Sequence, residues 1–236
     1  MTPSNLLVTT LAIGLTAVFS ACGTTTTSPP RPTATAKATV KATPTAPDVQ
    51  RIDLGATGVG VYQLVTVPVV LIHNASTQHA ALGLVAHFTP SRADNHPLDR
   101  LDSPPINLAP GESLAVAANC TDTCGGATHT DVTVSVASWG DVAKAPLISG
   151  GAGAYARGGG GGAGFGEVSG SLSAATVPTG AAFSSIAVCY DAAGAIVGGG
   201  TNQSVWSVAG SAQPTSVSVI VSVQPSRCEV YGAVGG

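Results

Sequence analysis

From Arg51 onward the chain alternates apolar with small or polar residues, the period of a half-buried β-strand. Runs at 61–65 and 67–73 are rich in β-branched residues. Leu82, Leu84, Ala86 and Phe88 then alternate with Gly83, Val85 and His87. Leu114, Val116 and Ala118 follow the turn signal Pro110-Gly111-Glu112, and Val132, Val134 and Val136 close this first set. In the second set Val168, Gly170 and Leu172 precede Ile186, Val188 and Tyr190. A turn at 191–194 leads to Ala195-Ile196-Val197, and Val217, Val219, Val221 and Val223 form the cleanest alternation before a last run, 227–231. Outside the N-terminal segment no stretch has a helical period. Short strands at this spacing predict an all-β fold of the sandwich or barrel type.

The two sets can be laid on each other. His73-Asn74-Ala75-Ser76 falls on Ser171-Leu172-Ser173-Ala174, and Ala86-His87-Phe88 falls on Val188-Cys189-Tyr190. The order and spacing predict two tandem β-sandwich units, 51–141 and 167–236, with one larger sandwich as the alternative. Between them, 142–166 contains SGGAGAYARGGGGGAGFG and reads as a Gly-rich linker. It has no Gly-Lys-Ser/Thr and no following helix, so it is not a phosphate cradle.

The first 21 residues read as an export signal. Leu6 to Phe19 is an uncharged, mostly apolar run, too short for a membrane span of about 20 residues. It ends in Phe19-Ser20-Ala21-Cys22-Gly23, which resembles a bacterial lipoprotein processing site. That resemblance implies a diacylglyceryl group on the Cys22 thiol, with Cys22 the new N-terminus after cleavage. The site departs from the usual pattern at Phe19, where Leu is common, and in an n-region without Lys or Arg. Residues 22–50 then form a Thr/Pro/Ala stretch with almost nothing large and apolar, which cannot offset its ordering entropy and is expected to be a disordered stalk.

Only 9% of residues are charged and the net charge is −3, with the nine Lys and Arg scattered, so a basic nucleic-acid footprint is absent. No G-x-S-x-G elbow occurs, so nothing marks a serine hydrolase. Neither enzymatic activity nor a cofactor is expected.

The segment from Glu167 to Tyr231 resembles the FxLYD-type domain of bacterial envelope lipoproteins. The likeness rests on a strand with Gly170, the strand Ala187-Val188-Cys189-Tyr190-Asp191, a Gly turn and a last run ending at Val230-Tyr231. Tyr190-Asp191 stand in the signature, while Ala187 and Cys189 replace its Phe and Leu. The first unit resembles it more loosely, through Val69 to Asn74, His87-Phe88 and Leu108-Ala109-Pro110-Gly111-Glu112. The resemblance implies immunoglobulin-like β-sandwiches on a surface lipoprotein and supplies no catalytic residues.

Besides Cys22 there are four cysteines, an even count that reads as disulfides in an exported chain. Of three connectivities, Cys120–Cys124 with Cys189–Cys228 keeps one bridge within each unit. The second bridge closes a long loop and is expected to contribute about 2–4 kcal/mol. The alternative for the first pair is a metal site in which Cys120, Cys124 and His129 supply two thiolates and an imidazole, completed by Asp122 or Asp131. All five histidines (73, 79, 87, 96 and 129) fall in the first unit, without i, i+2 spacing on one strand face. Sequons at Asn74, Asn119 and Asn202 are read as chance in so Ser/Thr-rich a chain. The most charged stretch, 91–105, holds Arg92, Asp94, His96, Asp99, Arg100 and Asp102, and is the candidate recognition loop on a rigid scaffold.

The expectation is a cell-envelope lipoprotein, lipid-anchored at the outer face of the cytoplasmic membrane, or at the outer membrane of a Gram-negative cell. Its role would be binding or structural, with an envelope protein or polysaccharide as partner and no nucleic acid; the alternative is an envelope metal-binding protein using Cys120, Cys124, His129 and other histidines.

Overall fold

The computed structural model describes residues 48–121, 123–158, 164–207 and 211–235. The signal segment, Cys22, most of the stalk and Asp122 lie outside the described residues. The first half comprises β1 (Ile52–Tyr62), β2 (Val65–Asn74), β3 (Ala80–Ser91), β4 (Leu101–Asp102), β5 (Ile106–Leu108), β6 (Ser113–Ala117), β7 (His129–Ser135) and β8 (Ser138–Gly140). A 3-10 turn at Val142–Lys144 leads to β9 (Gly151–Arg157), β10 (Phe165–Ser173), β11 (Ala182–Tyr190), β12 (Ile196–Val205), β13 (Ala212–Val221) and β14 (Arg227–Val234). The fold is all-β, and no described helix is long and apolar enough to cross a membrane.

Two sheets build the first half. One is β1-β2-β6, and in the other β3 is central, pairing with β4 and β5 on one side and β7 and β8 on the other. The second half closes on itself as a six-stranded barrel, β10-β13-β12-β11-β14-β9, which leaves no free sheet edge. This differs from a pair of tandem sandwiches on two points. The second set is a barrel, and β9, which closes it against β10 and β14, comes from the stretch expected to be a linker.

Two large cores follow from the register, beside a small cluster of Ala80, Ala109 and Ala145. The barrel interior is filled by Val168, Leu172, Phe183, Trp206, Val217, Val219 and Val230, with Trp206 meeting Phe183 edge-on. The other core joins Val67, Val69, Ile72, Leu84, Phe88 and Leu114 of the first half to Ile186, Val188, Tyr190, Ile196 and Ile220 of the barrel wall. β11 therefore buries both faces. Ala187 and Cys189 point into the barrel, whereas Ile186, Val188 and Tyr190 point out into the first half. Residues 46–236 pack as one compact unit.

Glycine lets the layers meet. A Cβ at Gly60 of β1 would overlap the carbonyl oxygen of Ile220, and one at Gly58 would overlap Ile196. These close backbone approaches seat β1 on β12 and β13.

Candidate functional site

The charged stretch forms the end of a long hairpin. β3 runs to Ser91, and the returning chain pairs Asp102 with His87 and Leu101 with Phe88. At the tip, Arg92 N donates to His96 O at 3.0 Å and Leu98 N to Pro90 O at 2.8 Å. Asp94 accepts from His96 N at 3.1 Å, and Asn95 takes a left-handed φ of 62°, which Asn tolerates better than most residues. Arg92, Asp94, His96, Asp99, Arg100 and Asp102 are all exposed.

Three of the charges belong to the hairpin's own geometry. Asp94 ties the tip, and Arg100 Nε donates to Asp102 Oδ1 at 3.2 Å. Asp102 Oδ1 also meets His87 Nδ1 at 2.7 Å, and His87 Nε2 lies 2.9 Å from Ser135 Oγ on β7. The His87 imidazole beside it, with Arg100 secondary, holds the Asp102 carboxyl below its ordinary pKa. Asp102, His87 and Ser135 thus form a hydrogen-bonded row across β4, β3 and β7, which alternation alone could not reveal because the three are distant in sequence. Arg92, His96 and Asp99 are left facing solvent as the groups free to meet a partner.

The segment after β6 braces this hairpin. The structure joins Cys120 to Cys124. Thr66 and Cys120 exchange backbone hydrogen bonds, and Thr66 Oγ1 donates to Cys124 O at 2.7 Å. Cys124 Sγ lies 3.9 Å from the Asp99 carbonyl oxygen, and Thr128 N donates to Ser91 O. With both sulfurs in the bridge, Cys120 and Cys124 present no thiolates, and His129 contacts Thr128 instead. In this bridged form Cys120 and Cys124 are not ligands beside His129. The other histidines are dispersed: His73 meets Ser113, His79 meets Asp48, and His96 sits at the hairpin tip. Among the described residues no three His, Cys, Asp or Glu side chains gather as a metal site.

A polar knot at the opposite end of β2 was not expected. Asn74 is fully buried; its Nδ2 donates to the carbonyls of His79, Leu108 and Ala109, and its Oδ1 accepts from Ser76 N. Asp48 docks beside it, accepting from Ser76 Oγ at 2.7 Å, Thr77 N at 2.8 Å and Thr77 Oγ1, and meeting His79 Nδ1 at 2.8 Å. Those partners, His79 first, hold its carboxyl well below the usual range. Glu112 accepts from Ala109 N at 2.7 Å, and burial pushes its carboxyl up to about 7.

On the barrel, Tyr190 and Tyr231 both donate to Glu229, while the Arg227 guanidinium sits 3.8 Å from the centre of the Tyr190 ring. Burial, reinforced by Glu229, raises the Tyr231 hydroxyl above its ordinary value. Asp191 accepts from Ala193 N and Ala195 N to fix the following turn. The pair Tyr190-Asp191 thus has a structural account: a buried anchor, then a turn cap. Cys189 and Cys228 stand opposite each other on β11 and β14 and are bridged.

No family model, curated protein or solved structure matches the chain.

Proposed function

We propose that the protein is a bacterial cell-envelope lipoprotein whose all-β body binds an envelope partner through the 91–102 hairpin. The observation that carries this reading is a hairpin, tied to the following segment by Thr128 N donating to Ser91 O, that leaves Arg92, His96 and Asp99 exposed. Two disulfides suit an oxidising compartment. The apolar run ending at Cys22 supports the lipid anchor, at the cytoplasmic membrane's outer face or at the outer membrane. The likeness to FxLYD-type domains belongs to the same proposal, with the second half closed into a barrel where that likeness implies a sandwich. Its support is the parallel strand order of the two halves in sequence and antiparallel pairing throughout.

The test uses residues 46–236 as bait against solubilised envelope, since a bait beginning at residue 51 would lose Asp48 and its hydrogen bonds. A partner captured by this bait and lost with the double variant Arg92→Ala, Asp99→Ala is the expected result. Capture indifferent to both substitutions would remove the hairpin from the reading. In cells, Cys22→Ala is expected to move the protein out of the membrane fraction.

One observation favours a second reading. Ser135, His87 and Asp102 are joined in the order nucleophile, base, orienting carboxylate, the connectivity of a serine hydrolase. Ser135 and Asp102 are exposed on an open sheet face, where water screens the Asp102 charge. A fluorophosphonate probe decides between the two: an activated Ser135 oxygen would displace fluoride and form a phosphonate ester. The binding reading expects no labelling. Labelling at Ser135 that disappears in His87→Ala would make the protein a hydrolase.

A further inference from the structure

A second surface, separate from the charged hairpin, carries its own chemistry. Where the β1–β2 turn meets the barrel, a cleft of about 390 Å³ opens, at the lower end of the size range of small-ligand sites. Tyr62 and Phe165 contribute aromatic surface, and Val65, Val67 and Ile220 contribute aliphatic surface. The polar lining is made of two side-chain amides, Gln63 and Asn119, and three hydroxyls, Thr121, Thr201 and Ser218. Among the described residues that line it, none is charged.

That combination selects among ligands. An ion would leave water for described lining side chains that offer no counter-charge. An acyl chain would cover five polar groups and satisfy none of them. A neutral pyranose sugar matches both halves of the lining. Its hydroxyls donate and accept, as do amides and hydroxyls, and the C–H face of its ring is an apolar surface for Tyr62 and Phe165.

The backbone supplies an independent observation. Gln63 and Leu64 are the two residues linking β1 to β2, since Tyr62 pairs with Val65. Both favoured two-residue hairpin turns need positive φ at the first position, where Gly, Asn or Asp is the usual residue. Here Gln63 holds φ at 53°, and its Nε2 donates to Tyr62 Oη at 3.2 Å. A long side chain is kept where the backbone prefers glycine, and it lines the cleft. Such strain marks functional positions. The far wall is equally ordered: Phe165 pairs directly with Ile220, and Asn119 precedes the bridged Cys120.

We propose that this cleft binds a neutral saccharide, with Gln63 and Asn119 as the polar anchors and Phe165 as a stacking surface. The proposal is independent of the hairpin's partner.

Calorimetric titration of the full-length chain with maltose, cellobiose and N,N′-diacetylchitobiose, and with digalacturonate as the charged counterpart, tests it. At least one neutral disaccharide is expected to bind in the millimolar range or tighter, and digalacturonate more weakly. Gln63→Gly and Phe165→Ala should each weaken that binding about tenfold, the loss of one good contact. Gln63→Gly relaxes the turn and should melt no lower than the parent chain, so weaker binding in that variant reads the side chain and not the fold. The double variant Arg92→Ala, Asp99→Ala should bind the sugar unchanged, so that failure of the hairpin reading and failure of this one are separate outcomes. The proposal is overturned by no binding of the neutral disaccharides, equal binding of digalacturonate, or binding indifferent to Gln63→Gly and Phe165→Ala.

Discussion

Glu112 closes a turn signal, and nothing in Pro110-Gly111-Glu112 says that its carboxyl is half-buried. Its pKa rises from 4.5 to about 7 because burial penalises the charged form more than the Ala109 N–H relieves it. The folded state therefore binds this proton more tightly than the unfolded chain. Its contribution to stability is full below pH 4.5, falls as pH rises toward 7, and stays low above that. Glu112→Gln can still accept from Ala109 N and should remove this slope, making the variant more stable than the parent at pH 8; denaturation midpoints from pH 4 to 8 would show it. Asn74 teaches a related lesson. Its sequon reads as chance, and the side chain is fully buried and holds three carbonyls. The Asn-x-Ser spacing that makes a sequon also makes an Asx turn, with Ser76 N donating to Asn74 Oδ1. Its burial depends on the long-range carbonyls of Leu108 and Ala109, which local spacing does not show.

At the scale of elements, the strands easiest to read in the sequence were those with apolar side chains on alternate positions, such as β3, β6, β11 and β13. β1 and β9 were not legible as strands over their full length. β1 begins at Ile52, well before the β-branched run at 61–65, and contains Gly55, Gly58 and Gly60. β9 reads GAGAYAR. Glycine weakens strand propensity, so pattern reading turns such stretches into linkers. In the fold its lack of a side chain is what lets β1 lie on the barrel. Gly60→Val should therefore destabilise the protein by about 3 kcal/mol, through overpacking against backbone that cannot move aside. Gly111→Ala is a useful contrast: a Cβ there meets nothing within 4 Å, so only its positive φ is strained and about 1 kcal/mol is expected. Urea denaturation of both variants would rank them. The candidate hairpin was legible as a charged loop, but its brace was not, because 120–128 reaches it only through tertiary contacts.

At the scale of the whole molecule, β11 couples the halves. With Ile186, Val188 and Tyr190 packed on the first half and Ala187 and Cys189 inside the barrel, either half alone would expose a core face. A fragment of 167–236 would also lack β9 and leave β10 and β14 as free edges. Expressed alone, it should aggregate or fail to give dispersed amide resonances, whereas 46–236 should melt in one transition. A folded, monomeric 167–236 would show that the barrel does not need its neighbour. Alternation predicts that a strand has a buried face. It does not predict that both faces are buried, which is why two units and one could not be told apart beforehand.

The docking of Asp48 has a mechanical side. It is the first described residue, four positions before β1, and it is held by Ser76, Thr77 and His79. Tension applied through the N-terminal segment reaches this carboxylate before it reaches any strand. Those hydrogen bonds act as a strain relief, so under the proposed Cys22 anchor a pull on the N-terminal segment loads a surface turn first and spares the register of β1 against β2.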